Sequence, residues 1–267
     1  MHSYKLFKTY RTNNMYISTE NTILYVRGRY SVQLANTPSD IDACLRLRFN
    51  IFSQELGADL KSKQTGLDKD KFDPFCLHLM VKDHSNDMVI ATTRLLTSDC
   101  AHLAGGFYSE SEFNLQAILK NHFRYMEVGR TCIHTDYRAG PALPLLWQGI
   151  ARVVHDYNID HLFGCASIPY YGDSKYISSI MEYLKRHHFS EPDLRVSPHI
   201  PINELEQDTN DDVILPTLLK GYLKQGAVIC GDPYWDAQFG VADVFVILDC
   251  DQIAQRYQRH FVDRVSA

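Results

Sequence analysis

The sequence predicts a mixed α/β domain, with helices packed around a partly antiparallel β-sheet. Apolar residues recur at helical spacing between Ile41 and Leu56, and strand-like apolar runs alternate with later helical segments. The tetrapeptide "HSND" separates two such runs, "CLHLMVKD" and "MVIATTRLLT", as a hairpin turn would. The order strand, helix, hairpin, strand, helix, strand, helix and further strands is typical of this class.

Composition and charge narrow the classes of partner. The 267 residues suffice for one large domain, and 45% hydrophobic with 22% charged residues is ordinary for a globular protein. The net charge of −5 and the lack of a polybasic run predict no nucleic-acid partner. No apolar run reaches the roughly 18–20 residues that span a bilayer, and no signal-peptide core is visible. We therefore expect a cytoplasmic location.

The seven cysteines are odd in number and form no CxxC pair. Most lie in apolar, strand-like contexts such as "HLFGCAS" and "AVICGD". Reduced and buried thiols are therefore expected, without a disulfide framework.

The first helix is predicted within "TPSDIDACLRLRFNIFSQELG", after a short strand at "SVQLAN". Pro38 precedes this helix, and Ser39 or Asp40 can cap it. Gly57 can end it. Its buried side is predicted from the spacing of Ile41, Leu45, Phe52 and Leu56.

The remaining elements follow the same patterns. Strands are predicted at "RYMEVGRTCI", "HLFGCASI", "AVICGDPYWD" and "VADVFVIL", and helices at "PLLWQGIARVVHDYN", "SKYISSIMEYLKRHH" and "QIAQRYQRHF". Pro144 suits the first turn of its helix. We expect residues 1–28 to be a partly disordered N-terminal extension, and residues 29–267 to form a single domain that includes a C-terminal extension.

The loop "TDYRAGPAL" joins a predicted strand to a helix N-terminus. Free backbone N–H groups at such a place bind anions, and Gly140 would let the backbone approach a ligand closely. Arg138 adds a fixed positive fork. A phosphate is the natural occupant, although an ordinary capped turn remains the alternative because no full GxGxxG or Walker pattern is present.

Glu127 and Arg130 lie three residues apart in a predicted strand. A regular strand would point them to opposite faces. Either a β-bulge brings the two side chains together, or they have separate roles on the two faces. A sheet carboxylate near a phosphate-carrying ligand could accept a proton from an attacking amine. The alternative is a surface salt bridge.

Two further patterns are weaker candidates for catalytic residues. Cys132 and His134 could share a strand face as a nucleophile pair, but no cysteine-enzyme signature surrounds them, and a core thiol is the expected role of Cys132. The spacing of His188 and Asp193 matches that of glycerolipid acyltransferases, without a second block of that family.

Asp68, Asp70 and Asp73 could suggest a calcium loop. Counted from Asp68, however, an EF-hand would need glycine at position 6 and glutamate at position 12, and neither is present. No metal site is expected there.

Several ordered blocks resemble the acyl-carrier-protein-dependent branch of the GNAT superfamily, and most closely the bacterial ornithine Nα-acyltransferases. They include "RLRFNIFSQELG", "LDKDKFDPFCLHLMVKD", "GGFYSESEFNL" and "EVGRTCIHTDYRAGPALPLLWQGI", and together extend over roughly residues 28–260. The resemblance implies a GNAT-like acyltransferase fold and transfer of a 3-hydroxylated fatty acyl group from acyl carrier protein to the α-amine of an amino acid, with ornithine as the leading acceptor and a lyso-ornithine lipid as product.

A sparser pattern is similar to that of N-acyl-homoserine lactone synthases and N-acyl amino acid synthases. Its positions in this chain are Arg48, Phe52, Asp70, Asp73, Arg94, Glu127 and Arg130. The pattern implies one active site built from the first helix, the acidic loop and the central strand. One departure is that the loop with Arg138 and Gly140 lacks the fuller glycine pattern of acetyl-coenzyme-A-binding relatives, which leaves room for a phosphopantetheine arm.

The resemblance implies a role for each of these residues. Glu127 would be the base, with Arg130 beside it and backbone N–H groups near 128–133 holding the thioester oxyanion. Arg138 and the Gly140 loop would bind the phosphopantetheine phosphate. The remaining roles are amino-acid binding by Asp70, Asp73 and Arg94, and lining of the donor entrance by Arg48 and Phe52. No bound cofactor, metal or covalent enzyme intermediate is expected.

The expected partner is acyl carrier protein, which is acidic. A basic patch for it could be built by Arg46, Arg48, Lys61, Lys63, Lys69 and Lys71. Peripheral contact with the inner membrane would suit a lipid product, through the N-terminal segment or residues 191–216.

Rival functions are an acetyltransferase that uses acetyl coenzyme A, a lactone or signal synthase that uses S-adenosylmethionine, and a non-catalytic carrier-binding regulator. The acyl length, the choice among ornithine, glycine, glutamine and lysine, the oligomeric state and the relative roles of Asp70 and Asp73 stay open at this stage.

Overall fold

The computed structural model describes residues 22–60, 63–172, 174–202 and 213–251. Two compact units divide the chain. The first unit comprises residues up to Gly105 together with Arg130–Val153, and the second comprises Gly106–Gly129 and the residues from Val154 onward.

Six helices and eleven strands are present in the described part of the chain. The helices are α1 (Pro38–Phe49), α2 (Ser98–Ala104), α3 (Gln116–Leu119), α4 (Ala142–Tyr157), α5 (Lys175–His187) and α6 (Thr217–Gln225). The strands are β1 (Ile23–Arg27), β2 (Tyr30–Leu34), β3 (Leu77–Asp83), β4 (Met88–Thr97), β5 (Phe113–Asn114), β6 (Tyr125–Ile133), β7 (His161–Pro169), β8 (Ser197–Pro198), β9 (Val228–Ile229), β10 (Tyr234–Asp236) and β11 (Val241–Asp249).

The sheet of the first unit has the strand order β1-β2-β3-β4-β6. The pairs β1–β2, β2–β3 and β3–β4 are antiparallel, and the last of these is the hairpin predicted from "HSND". Helix α4 packs closely on this sheet at Gly149, where an added Cβ would lie 2.8 Å from a methyl group of Leu79. Strand β1 falls within the predicted N-terminal extension, so the sheet begins before residue 29.

Helix α1 begins at Pro38, two or three residues earlier than its predicted caps imply. Thr37 is the N-cap, and its hydroxyl accepts a hydrogen bond from the Asp40 N–H at 3.1 Å. The Asp40 carboxylate accepts in return from the Thr37 N–H at 3.2 Å, which completes a capping box. The prediction that Ser39 or Asp40 caps the helix was therefore wrong, because Asp40 occupies the third helical position.

A π-helical turn, Asn50–Glu55, continues the chain from α1. The helical run ends just before Gly57, whose φ of +75° is the left-handed conformation that favours glycine. The predicted end at Gly57 is confirmed.

The sheet of the second unit has the order β6-β7-β11-β10. Strands β6 and β7 are parallel, with register from Tyr125↔His161 to Glu127↔Phe163, whereas β7–β11 and β11–β10 are antiparallel. A buried aromatic cluster forms on this sheet around Phe163, which contacts Phe107, Tyr125 and Phe245. The mixed and partly antiparallel sheet is the predicted one.

The predicted terminal helix, "QIAQRYQRHF", lies outside the described residues, as does the segment before residue 22. All seven cysteines are free, five of them buried and two half-buried, as predicted. Within the described ranges, no helix has the length and apolar character needed to cross a membrane.

Candidate functional site

The first unit contains a buried cluster of alternating charges, which we call the arginine–aspartate cluster. Helix α1 supplies one arginine, the loop before β3 supplies three aspartates, and strands β4 and β6 supply one arginine each. Its members are Arg48, Asp68, Asp70, Asp73, Arg94 and Arg130. The structure thus brings together five residues of the predicted site. It adds Asp68, which the sequence indicated only as part of a possible calcium loop.

Arg48 is the centre of this cluster and is 1% exposed. Its Nε donates to Asp68 Oδ2 at 2.8 Å and its Nη1 to Asp73 Oδ1 at 2.7 Å, while Nη2 is buried and finds no hydrogen-bond partner in the described part of the chain. Arg48 therefore organises the aspartate loop. The prediction that it contributes to a basic surface patch was wrong, because its guanidinium is buried.

Arg94 shares Asp73 with Arg48 and also binds Asp70. Its Nη1 donates to Asp70 Oδ1 at 2.6 Å and to Asp73 Oδ1 at 3.1 Å. Burial opposes ionisation of Asp73, but the Arg48 and Arg94 charges outweigh it and hold the pKa of Asp73 below its usual value. Because three arginines face three aspartates, the formal charges of the cluster cancel.

Arg130 has a φ of +52°, which is uncommon for a residue with a side chain. Its Nε lies 3.4 Å from Asp68 Oδ2 and its Nη2 lies 3.6 Å from Asp70 Oδ2. This left-handed residue interrupts the regular alternation of β6. The positive φ is a local irregularity of the strand, and backbone strain of this kind is concentrated at functional sites.

Glu127 lies on β6 in the second unit and is 5% exposed. Its Oε2 accepts from the Tyr108 N–H at 2.9 Å. Its Oε1 accepts from the Ser109 N–H at 2.7 Å and from the Ser109 hydroxyl at 2.5 Å. These donors stabilise the ionised carboxylate and fix its orientation. The turn at 108–111 was not singled out in the sequence as a partner of Glu127.

A second acidic group lies in the same unit and was also missed. Glu112, Asp236 and Asp243, here called the acidic triad, are all buried and offer ligand oxygens within 4.8 Å of one another. Burial and then the neighbouring Asp243 raise the pKa of Glu112 to about 8. No local pattern could have revealed this group, because Glu112 lies more than a hundred residues before Asp236 and Asp243 in the sequence.

Arg138 lies at the predicted phosphate loop, but its guanidinium already binds the carboxylate of Glu55. Its Nη1 lies 2.6 Å from Glu55 Oε1 and its Nη2 donates to Glu55 Oε2 at 2.8 Å, while the Thr135 hydroxyl donates to the same Oε2 at 2.9 Å. The hydrogen bond from Arg138 is the main reason that the pKa of Glu55 is lowered. The guanidinium is half exposed, so a phosphate could replace the carboxylate there.

The structure also shows the surroundings of the other predicted positions. Phe52 packs against a buried group formed by Leu47, Ile51 and Cys132. Burial raises the pKa of the Cys132 thiol, which agrees with a core thiol rather than a nucleophile. An added Cβ at Gly140 would lie 3.3 Å from the Tyr137 carbonyl oxygen, so the turn itself favours a small residue.

Part of the predicted carrier-binding patch is described. Arg46, Lys69 and Lys71 are exposed. Lys61 and the side chain of Lys63 lie outside the described part of the structure.

Comparison with known proteins identifies similar chains along nearly the whole length. The acetyltransferase (GNAT) domain profile matches residues 47–148. An L-ornithine N(alpha)-acyltransferase of Brucella abortus (strain 2308) is 32% identical over 266 residues, which cover 92% of this chain and 94% of that protein. One of Rhodobacter capsulatus is 31% identical over 251 residues, with coverage of 88% and 96%.

Among solved structures, an N-acyl amino acid synthase from uncultured soil microbes superposes with a TM-score of 0.51. The superposition covers 84% of this chain and 92% of that chain, at 11% sequence identity. At this identity the likeness concerns the fold alone. Together with the domain match, it confirms the predicted GNAT-like fold class.

Proposed function

The chain belongs to the family of the L-ornithine Nα-acyltransferases, and on that premise we propose that it acylates the α-amine of L-ornithine to give a lyso-ornithine lipid. The acyl group is a 3-hydroxylated fatty chain delivered as a thioester of acyl carrier protein. The observation that carries this proposal is the similarity to acyltransferases of that name over about nine tenths of both chains. The same similarity supports the broader class, an amino-acid N-acyltransferase, directly.

Glu127 is the proposed base. The α-ammonium of the acceptor loses a proton to this carboxylate, directly or through a water, and the neutral amine attacks the thioester carbonyl. A C–N bond forms and the C–S bond breaks, and the phosphopantetheine sulfur leaves as a thiol that takes up the second proton lost by the attacking nitrogen. The donors from Tyr108 and Ser109 hold the carboxylate in one orientation, which supports a positioned base.

Backbone N–H groups in the segment 128–133 are proposed to stabilise the oxyanion of the tetrahedral intermediate. The parallel pairing of β6 with β7 runs from Tyr125 to Glu127, and β6 itself continues to Ile133. The left-handed conformation of Arg130 redirects the backbone within this segment, which supports a specialised role for it.

Arg138 is proposed to bind the phosphodiester of the phosphopantetheine arm, with the turn at Gly140 beside it. A planar guanidinium binds phosphate in the same bidentate manner in which Arg138 now binds Glu55. A single phosphodiester would need only this fork. The larger charge of coenzyme A would have to tolerate Glu55 nearby, so the carrier-bound donor is favoured.

The arginine–aspartate cluster is proposed to act by positioning. Each of its aspartates pairs with at least one arginine, so Asp70, Asp73 and Arg94 hold the aspartate loop and β4 against Arg130. Direct binding of the amino acid by this set, as the family pattern implied, would require one of these ion pairs to open.

The proposed partner is acyl carrier protein, bound through a basic surface that includes Arg46, Lys69 and Lys71. Peripheral contact with a membrane would allow the lipid product to leave the protein. No bound cofactor is proposed.

A donor and acceptor competition tests the proposal. The protein receives 3-hydroxypalmitoyl carrier protein and 3-hydroxypalmitoyl coenzyme A, which differ in isotope label, with an equimolar mixture of amino acids. Mass spectrometry should find an acylated ornithine that carries the carrier-protein label. A predominance of the coenzyme A label would favour the coenzyme-A-dependent alternative, and intact thioesters after incubation would contradict acyl transfer.

A further inference from the structure

The acidic triad differs from the arginine–aspartate cluster in its charge balance. In the arginine–aspartate cluster, three arginines face three aspartates. Around Glu112, by contrast, the charged side chains with the strongest influence are the carboxylates of Asp243 and Asp236. Three buried carboxylates in one place repel one another unless a proton or a cation lies among them.

A single oxygen atom gives a second and separate indication of a ligand. Glu112 is 2% exposed, and its carboxyl group has hydrogen bonds with the side chains of Cys165 and Tyr108. Its Oε2 nevertheless has no hydrogen-bond partner among the described residues. A buried carboxylate oxygen that lacks a hydrogen-bond donor has a large free-energy cost. Such unsatisfied buried atoms are rare in native structures. A cationic group with N–H donors placed among the triad would satisfy this atom.

The triad is tied to the proposed base through one short turn. Glu112 closes the turn at 108–111, where its N–H donates to the Ser109 carbonyl at 3.1 Å. Ser109 in turn donates to Glu127, and its Oγ lies 3.3 Å from the Cys165 Sγ. The same turn therefore binds the Glu127 carboxylate through Ser109 and is followed directly by Glu112 of the triad.

We propose that the acidic triad binds the side-chain ammonium of the acceptor while the α-amine of the same amino acid faces Glu127. An alkylammonium carries three N–H donors, and three carboxylates converge where it would lie. This inference rests on the proposed function and names the residues that would select a dibasic amino acid. It moves that role from Asp70 and Asp73, which pair with arginines, to Glu112 and Asp243.

Asp236 has a different part in the triad. Its Oδ1 accepts from the N–H groups of Gln238 and Phe239 at 2.8 and 3.1 Å, so it also holds the turn between β10 and β11. Glu112 and Asp243 are accordingly the members to substitute, because replacing Asp236 would change the turn as well as the charge.

The test compares L-ornithine with L-2-aminopentanoate, which has the same three-carbon side chain and no side-chain amine. Steady-state acylation of both acceptors is measured with the wild type, Glu112→Gln and Asp243→Asn. The exposed Asp193→Asn, in the same unit, is the matched control. Thermal unfolding of every variant, with and without added CaCl2 or MgCl2, shows whether the fold is intact and whether a metal binds.

The expected result is selective loss. In either triad variant, kcat/KM for ornithine falls by about 100-fold, mostly through KM, while kcat/KM for 2-aminopentanoate is unchanged or higher. The melting temperature without added metal should not fall, because an amide relieves repulsion within the triad. Asp193→Asn should match the wild type for both acceptors.

Three results would overturn the inference. Equal losses for both acceptors would show a structural role of the triad. A rise in melting temperature with CaCl2 or MgCl2 that Asp243→Asn abolishes would show a metal site. Unchanged discrimination in both variants would place the ammonium elsewhere. A wild type that acylates neither acceptor would instead contradict the proposed function.

Discussion

Ser109 binds Glu127 twice, through its backbone N–H at 2.7 Å and through its hydroxyl at 2.5 Å. Both bonds end on the same oxygen, Oε1, and leave the carboxylate with a fixed orientation. Ser109 is fully buried, so no water could replace its hydroxyl without a change in packing. Ser109 is therefore a positioning residue for the proposed base.

Replacement of this serine should lower turnover rather than binding. For Ser109→Ala we expect kcat to fall by about 10-fold, with KM for the acceptor within about twofold. The base acts in the transition state and not in substrate binding, so a loosely held base lowers kcat and leaves KM nearly unchanged. Steady-state kinetics provide the measurement, and Ser111→Ala, on the exposed side of the same turn, is the control. An unchanged kcat in Ser109→Ala would show that the Ser109 hydroxyl does not position Glu127 for the reaction.

Arg48 should dominate the stability of the first unit. Its removal leaves Asp68 and Asp73 buried with one cationic partner fewer, so Arg48→Ala should lower the free energy of unfolding by about 3–5 kcal/mol. The exposed Arg46→Ala, two residues earlier on α1, should change it by less than about 0.5 kcal/mol. Urea unfolding measures both values, and equal effects would contradict the account of the cluster.

His78 predicts a pH dependence of stability. Burial lowers the pKa of His78 to about 4, whereas the ordinary value is 6.5. As the pH falls through 6.5, the unfolded state takes up the proton first, so stability is complete above that pH and is lost progressively down to pH 4. Between pH 7 and pH 4.5 this group should remove about 2–3 kcal/mol of the free energy of unfolding.

The variant His78→Gln isolates this contribution. Its free energy of unfolding should change less between pH 7 and pH 4.5 than that of the wild type, in urea titrations at both pH values. His102→Gln, at an exposed position, should keep the wild-type dependence. An identical pH dependence in His78→Gln and the wild type would show that His78 does not titrate as its burial implies.

Glu55 should compete with the donor phosphate for Arg138. We expect Glu55→Gln to lower KM for the acyl carrier protein by about 3-fold, because a neutral amide binds the guanidinium less strongly, and Arg138→Ala to raise that KM by at least about 10-fold. Neither change should alter kcat by much. Asp136→Asn, exposed on the same turn, is the control. An unchanged KM in Arg138→Ala would place the phosphate elsewhere.

Local patterns predicted the elements of the fold well where the signal is itself local. The hairpin at 84–87, the end of the helical run at Gly57 and the apolar strand β7 each depend on a few neighbouring residues. The N-cap at Thr37 was missed because three of four consecutive residues, Thr37, Ser39 and Asp40, can cap a helix, and only the reciprocal bond with Asp40 distinguishes them.

The candidate site was predictable only in part for a similar reason. Family spacing indicated Arg48, Asp73 and Arg94, and the structure does bring them together. Sequence alone could not show that their charges cancel one another. It also could not show the partners of Glu127, 18 and 19 residues away, or the acidic triad, in which Glu112 lies more than a hundred residues before Asp236 and Asp243.

The most direct test of the account is the position of the new amide bond on ornithine and the dependence of its formation on Glu127. Wild-type protein and Glu127→Gln would be incubated with 3-hydroxypalmitoyl carrier protein and L-ornithine, and the product analysed by fragmentation mass spectrometry. The account predicts an amide on the α-nitrogen in the wild type and a rate at least about 100-fold lower in Glu127→Gln. Acylation of the side-chain nitrogen, or an equal rate in Glu127→Gln, would contradict it.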